Sequence, residues 1–386
     1  MSPRSSGTRP RVAIAHDYLT QRGGAERVVL AMVRAFPDAT VYTTLYDPDG
    51  TYPEFRDARI VVSPLNRIGL LRRNHRLALP LLPLASWALR PDAEVVVASS
   101  SGWAHGFHHS PTSKVLVYCH APARWLYQTE TYLGEKATRS PQGLALLALR
   151  PFLTAWDRNA AARADAYLAN SRVVRERILE AYGIDAQVVP PPYGVDPALA
   201  AEPIVELADW AADEYHLIVS RLLPYKNVQH AVAAFRDLPE RLVVIGFGPM
   251  AEELRAALPG NVRLLSGLTD GQMRFAYAHA RALVAPSHED FGLTPLEAAS
   301  YGKPTLALHA GGYLDTVRPG LNGTFFEEPT AHAIRVAVTG NRGTVWNADA
   351  IRDHARGFSE PRFHEELHRQ VEALLGGAAG EAGGPR

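Results

Sequence analysis

One cysteine, Cys119, stands in 386 residues, which excludes an internal disulfide and any metal site built on several thiolates, and fits a reducing cytoplasm. Charge of either sign is not in excess. The 40 Lys and Arg face 40 Asp and Glu, so there is no global basic field of the kind nucleic-acid binding needs, and any basic site must be local. Long hydrophobic runs are missing as well: the most apolar segment, Leu77 to Leu89, is broken by Pro80 and Pro83 and is too short to span a bilayer. MSPRSSGTRP passes directly into the strand-like RVAIAH with no apolar stretch between them, so no targeting segment is expected. The closing GGAAGEAGGPR has nothing to bury and is expected to be disordered.

What is present is a chain 47% hydrophobic and long enough for two domains with separate cores. Short aliphatic runs recur: RVAIAH, EVVVASSS, KVLVYCH, AYLANS and AQVVP, then YHLIVS, RLVVIGFG, NVRLLSG, RALVAPS and KPTLAL. Between them lie stretches with helical spacing, among them Glu26 to Phe36, Arg158 to Arg163, Arg172 to Ala181, Asn227 to Phe235 and Gln272 to Ala280. Strands alternating with helices imply parallel sheets covered on both faces. The rhythm breaks once, at VVPPPYGVDPALAAEPIVELADW, where consecutive prolines mark a domain boundary. The expected fold class is α/β, with two Rossmann-like doubly wound parallel-sheet domains facing a central cleft, where ligands bind beyond the carboxyl ends of the strands.

Residues suited to chemistry stand just after several strands. Gly23-Gly24 opens a helix after RVAIAHDYLT; His120 follows KVLVYC; Arg221 and Lys226 follow YHLIVS; Gly246-Phe247-Gly248 follows RLVVI; Glu289 follows RALVAPS. Each has a plain alternative. Glycine pairs serve βα turns, and a histidine before Ala121-Pro122 is equally a hydrogen-bonded core residue. Arg221 and Lys226 read as a solvated pair, although two cations at the start of a helix oppose its positive end unless an anion lies between them.

The segment PSHEDFGLTPLEAASYGKP separates two glutamates by a helix start. Thr294-Pro295-Leu296-Glu297 reads as an N-cap, a proline at the first helical position and a glutamate three residues after the cap. Glu297 thus serves either as a cap or as a ligand for hydroxyls. Glu289 stands beside Asp290, and two adjacent carboxylates repel unless solvated or contacting a polyol. The local order of strand, loop and helix suits a phosphorylated ligand.

In this order the Gly-Gly loop, His-Ala-Pro, Arg-x4-Lys, Gly-x-Gly and Glu289-x7-Glu297 with an internal Phe-Gly resemble glycosyltransferase family 4, the retaining GT-B enzymes that use nucleotide-diphosphate sugars. The resemblance runs from about residue 11 to about residue 370 and is nearest to bacterial polysaccharide mannosyltransferases at HDYLTQRGGAERV, VYCHAPARWLY, PSHEDFGLTPLEA and AGGYLDTV. It implies an acceptor-side domain over 1–192, a nucleotide-sugar domain over 193–360, a helix over 361–376 returning toward the first domain, and a tail over 377–386. Phe363, Leu367, Val371 and Leu374 give that helix its apolar stripe.

The same resemblance implies roles. Arg221 and Lys226 would clamp the donor diphosphate and stabilise the charge that builds on it, and His120 would contact the transferred sugar near the reacting carbon. Glu289 would hold sugar hydroxyls and Glu297 the ribose, while the backbone amides of Phe291, Gly292 and Leu293 meet sugar and phosphate. Gly24, Gly246 and Gly248 would make room for the donor, the loop at Ser266-Gly267-Leu268 would read the base, and Gly23 and Trp125 would lie on the acceptor side. No metal or other cofactor is expected: the cations replace it, and no Asp-x-Asp pair suits one. The implied donor is GDP-mannose, and the implied acceptor is a glycan or lipid-linked saccharide.

Two departures accompany this. Where the family has Gly-Gly-x-x-Glu, Gly311-Gly312-Tyr313-Leu314-Asp315 supplies a shorter acid. Leu65 to Arg90 mixes Arg67, Arg72, Arg73, His75 and Arg76 with leucines, a pattern suited either to a helix with a solvated basic face or to peripheral contact with an anionic membrane on the cytoplasmic side. A UDP-sugar donor, a sugar-nucleotide epimerase and a silent nucleotide-sugar binder are the alternatives.

Overall fold

The computed structural model describes residues 10–73, 78, 81–128, 141–210 and 215–380. The chain divides into two units, residues 1–191 together with 360–386, and residues 192–359. The expected tail splits differently: the last helix runs over Glu360–Gly380, past the expected end at 376, and 381–386 lie outside the described residues.

The first unit is built on a seven-stranded sheet: β1 (Val12–His16), β2 (Thr40–Thr43), β3 (Ile60–Val62), β4 (Val95–Ser100), β5 (Lys114–Cys119), β6 (Ala166–Ala169) and β7 (Gln187–Val188). Its order is β3-β2-β1-β4-β5-β6-β7 and every pairing is parallel. β4 is buried along its whole length, as a central strand covered on both faces must be. One face packs on the helix Gly24–Ala35, whose Val28, Val29 and Met32 are buried, and on the last helix through Phe363, Leu367 and Val371. Arg34 pairs with Glu360, and Phe363 meets Tyr118 edge-on at 5.5 Å. The last helix is therefore part of the first unit's core.

The second unit repeats the design with β8 (Tyr215–Val219), β9 (Arg241–Ile245), β10 (Val262–Leu265), β11 (Ala280–Ala285), β12 (Thr305–Leu308) and β13 (Gly323–Phe326), in the order β10-β9-β8-β11-β12-β13, again all parallel. Helices Val228–Phe235 and Ala331–Gly340 cover one face over Val232, Phe235, Ile334 and Val338. In both sheets the order reverses beside the first strand, between β1 and β4 and between β8 and β11. Those two reversals are the topological switch points where ligands of doubly wound sheets bind.

Between Pro64 and Ser86 the basic segment forms short pieces and not one helix: a 3-10 turn at Pro64–Arg67, then helices Gly69–Arg73 and Leu82–Ser86. His75 and Arg76 lie outside the described residues. Among the described residues no helix is long and apolar enough to cross a membrane.

Candidate functional site

At the switch point of the second sheet, the loop after β8 carries Arg221 and ends in a 3-10 turn, Pro224–Lys226. Asn227 closes that turn at φ 58°, and its side-chain amide donates to the carbonyl of Pro286 at 3.0 Å, tying the loop after β8 to the loop after β11. Lys226, 9% exposed, is thereby brought to Glu289: Nζ donates to Oε1 at 2.5 Å. Ser287 Oγ donates to the same oxygen at 2.6 Å. Having spent its hydrogen there, Ser287 accepts from the hydroxyl of Tyr313 at 3.1 Å, and burial pushes that phenol well above its usual range. Arg221 is exposed. The repulsion expected between Glu289 and Asp290 is answered by an ammonium group of the protein itself.

Gly311 and Gly312 explain the glycine pair whose acid is short. A Cβ on Gly311 would lie 2.3 Å from the Glu289 carbonyl and one on Gly312 would lie 2.2 Å from Phe291 Cα, so only glycine lets this turn seat against the glutamate loop. Gly312 N–H donates to the Glu289 carbonyl at 2.8 Å. The segment supports Glu289 from behind.

The helix after the loop is Leu293–Ser300, and its N-cap is Gly292 at φ 88°, with no side-chain cap. Thr294 is thus inside the helix, which corrects the expected capping box. Glu297 faces elsewhere, accepting from the Tyr277 hydroxyl at 2.5 Å. Phe291 is buried, 4% exposed, leaving its backbone and that of Gly292 and Leu293 at the helix start. Gly246 and Gly248 have a packing role: a Cβ would meet Ser220 O at 1.9 Å and Leu222 O at 2.4 Å. Leu268 packs half-buried against the second unit's core.

The first sheet's switch point is as polar. His16 ends β1, Ser99 is its partner on β4, and His120 follows β5 directly. His16 Nδ1 lies 3.0 Å from the Ser99 carbonyl and 3.1 Å from Ser99 Oγ, which lies 2.8 Å from His120 Nε2. The Asp17 carboxylate, buried, accepts from the backbone of Ser101, Trp103 and Ala104 at 2.6, 2.8 and 2.7 Å and so fixes the loop after β4. Glu26, in the first turn of the helix that Gly24 opens, is 1% exposed. Burial pushes its carboxyl up, with the charge of His16 opposing, and a Cβ on Gly23 would strike Glu26 Oε2 at 2.5 Å.

None of His16, Asp17, Glu26 or Ser99 was singled out by residue type, because their meeting depends on strand order. The abrupt change from aliphatic to polar at HDY and ASSS was the available signal. Trp125, expected on the acceptor side, is 6% exposed and packs on Trp103 at 4.6 Å within a core cluster that includes Leu45 and Leu153. Among the described residues no group of three or more His, Cys, Asp or Glu could hold a metal ion.

Comparison with known proteins agrees with both units. Residues 22–199 match the model for Glycosyltransferase Family 4, and residues 210–339 match that for Glycosyl transferases group 1. The alpha-1,3/1,6-mannosyltransferase ALG2 of Kluyveromyces lactis is 25% identical over 376 residues, covering 80% of this chain and 71% of the relative. The D-inositol 3-phosphate glycosyltransferase of Actinosynnema mirum is 30% identical over 250 residues, 53% of this chain and 57% of the relative. Among solved structures, Anabaena Alr3699/HepE in complex with UDP superposes with a TM-score of 0.66 at 17% identity, over 94% of this chain and 100% of that one. That likeness shows the GT-B fold.

Proposed function

This chain belongs to the glycosyltransferases, family 4 in its first unit and group 1 in its second, and from that premise we propose that it is a retaining hexosyltransferase, moving mannose from GDP-mannose to a glycan or lipid-linked saccharide in the synthesis of cell-surface polysaccharide or glycolipid. The observation that carries this is the Lys226–Glu289 contact at the second switch point, a cation and a carboxylate held together in front of a helix start. In this reading Lys226 and Arg221 neutralise the diphosphate as the glycosidic bond breaks, Glu289 orients the sugar hydroxyls, and the amides of Phe291, Gly292 and Leu293 add donors. Glu297, held by Tyr277, takes the ribose. His120 is the first unit's member of the machinery. The leaving diphosphate takes the proton of the incoming hydroxyl on the face it leaves, so positioning and charge neutralisation do the catalysis.

Mannose is favoured by the ALG2 relative, whereas the Anabaena structure was solved with UDP, so the decisive experiment offers both donor classes. Purified protein is incubated with radiolabelled GDP-mannose, UDP-glucose and UDP-N-acetylglucosamine and a pool of lipid-linked acceptors. Label moving from GDP-mannose to lipid supports the reading. Transfer from a UDP-sugar alone replaces the donor, interconversion of the free sugar nucleotide makes it an epimerase, and binding without turnover makes it a silent binder.

The membrane part of this reading draws on residues 65–90. Ile68, Leu70, Leu81, Leu84 and Trp87 are exposed there beside exposed Arg67, Arg73 and Arg90, a mixture suited to lying on an anionic lipid surface where a lipid-linked acceptor is found. Sedimentation with phosphatidylserine vesicles that is lost at high salt supports this; equal sedimentation with neutral vesicles, or none, counts against it.

A further inference from the structure

The three residues at the first sheet's switch point form a hydrogen-bonded row whose direction can be assigned. His16 and Ser99 are register partners on adjacent strands, and His120 begins where the next strand ends. All three are buried, at 2%, 0% and 9% exposure. A carbonyl oxygen only accepts, so His16 Nδ1, 3.0 Å from the Ser99 carbonyl, carries a hydrogen whether the ring is neutral or charged. That hydrogen is shared with Ser99 Oγ at 3.1 Å. The hydroxyl's own hydrogen then has one acceptor among the described residues, His120 Nε2 at 2.8 Å. A ring nitrogen that accepts bears no hydrogen, so the pattern that gives the Ser99 hydroxyl hydrogen an acceptor leaves His120 neutral with its hydrogen on Nδ1. The opposite choice strands the Ser99 hydroxyl hydrogen at a fully buried side chain, the costly arrangement for a polar group. The His120 carbonyl is held separately by the Asn170 side-chain amide at 3.0 Å, and Tyr118 packs edge-on against the ring at 5.3 Å, so the ring is fixed in place as well as in tautomer.

We propose that Ser99, oriented by His16, is a positioning residue that holds His120 as the neutral Nδ1–H tautomer, so that this histidine serves the transfer as a hydrogen-bond donor and not as a base. This rests on the reading of His120 as part of the transferase machinery, and it agrees with a mechanism in which the leaving diphosphate takes the proton.

The test combines a spectrum with kinetics on the full-length chain. Long-range proton–nitrogen spectra of isotope-labelled histidine separate protonated from accepting ring nitrogens, and the His120 signals are those lost in His120→Gln. The expected result is an accepting Nε2 in the wild type, a shift toward Nε2–H in Ser99→Ala with kcat roughly 10-fold lower, the scale of one misplaced hydrogen bond, and KM for the donor unchanged. Ser99→Thr, which keeps the hydroxyl, retains the wild-type tautomer and kcat. A wild-type His120 with hydrogen on Nε2, or a Ser99→Ala protein that keeps both tautomer and kcat, overturns the proposal. Should Ser99→Ala not fold, the wild-type spectrum decides alone. A chain that transfers no sugar yet shows an accepting Nε2 supports the positioning and overturns the proposed function instead.

Discussion

The ammonium of Lys226 and the carboxylate of Glu289 meet at 2.5 Å although 63 residues separate them. Both side chains are largely enclosed, at 11% and 23% exposed, so each charge depends on the other for its solvation and the contact is held in a fixed geometry.

Removing either member should therefore cost activity and also some stability, because the remaining charge is left without its partner. Lys226→Ala and Glu289→Ala are each expected to lower kcat/KM by about 10²–10³-fold, the scale of losing one preorganised electrostatic contact. The double variant should lose far less than the product of the two, because the residues act as a unit. Steady-state kinetics on the four proteins checks this, with thermal melts as the folding control; independent, multiplicative losses would count against a shared role.

Gly312→Ala tests the support behind the glutamate. The new Cβ would lie 2.2 Å from Phe291 Cα and 2.4 Å from its carbonyl oxygen, and backbone cannot swing aside as a side-chain tip does. The expected cost is about 1–3 kcal/mol of overpacking, with donor affinity falling because the loop that carries Glu289 is displaced. Gly340→Ala, where a Cβ meets nothing within 4 Å, is the control and should leave both melting point and affinity unchanged.

Glu26 predicts a pH dependence in the first unit. Burial raises its folded-state pKa above the ordinary 4.5, so the folded form binds protons more tightly than the unfolded chain. Stability from this group is thus fully present below pH 4.5 and declines as pH rises through the folded pKa. Glu26→Gln should flatten that decline, and the difference in melting point between variant and wild type should grow with pH. Parallel curves would show that the carboxyl is compensated in some other way.

His216 predicts the opposite sign in the second unit. Enclosed beside Phe235, it is held down to about 4 from 6.5, by burial first and by the charge of Arg281 second. Its contribution is present above pH 6.5 and is lost as pH falls to about 4, a loss of about 3 kcal/mol. His216→Phe should remove this part of the acid sensitivity. Calorimetry between neutral and acid pH reads it; an unchanged acid limb would mean that other groups govern it.

The fold was legible where strands sit in aliphatic runs. β1 and β4 to β12 lie in such runs, whereas β2, β3 and β13 do not stand out: TVYT and GTFF put threonine and aromatics where an aliphatic run would be, and IVV is only three residues long. The helix of 21 residues at Pro141–Ala161 was seen only near its end, and it carries Pro151 inside it, where proline removes a helical hydrogen bond. At the candidate site, Lys226 and Glu289 were visible because each follows a strand in a recognisable motif. Ser287, Tyr313 and Tyr277 were not, because what they do depends on the side chain they touch, and nothing in local spacing records it. Thr294 shows the converse error: a motif that fits a cap perfectly was outbid by a glycine two residues earlier, whose positive φ starts the helix sooner.

The helix Glu360–Gly380 follows the whole second unit along the chain, yet Phe363, Leu367 and Val371 fill the heart of the unit that precedes it. Apolar surface on β5 and on the helix Gly24–Ala35 must wait uncovered while the whole second unit is synthesised. Nascent chains stalled anywhere in those intervening residues would offer that surface to chaperones and proteases, and a stop codon near residue 360 would cripple the first unit more than the second.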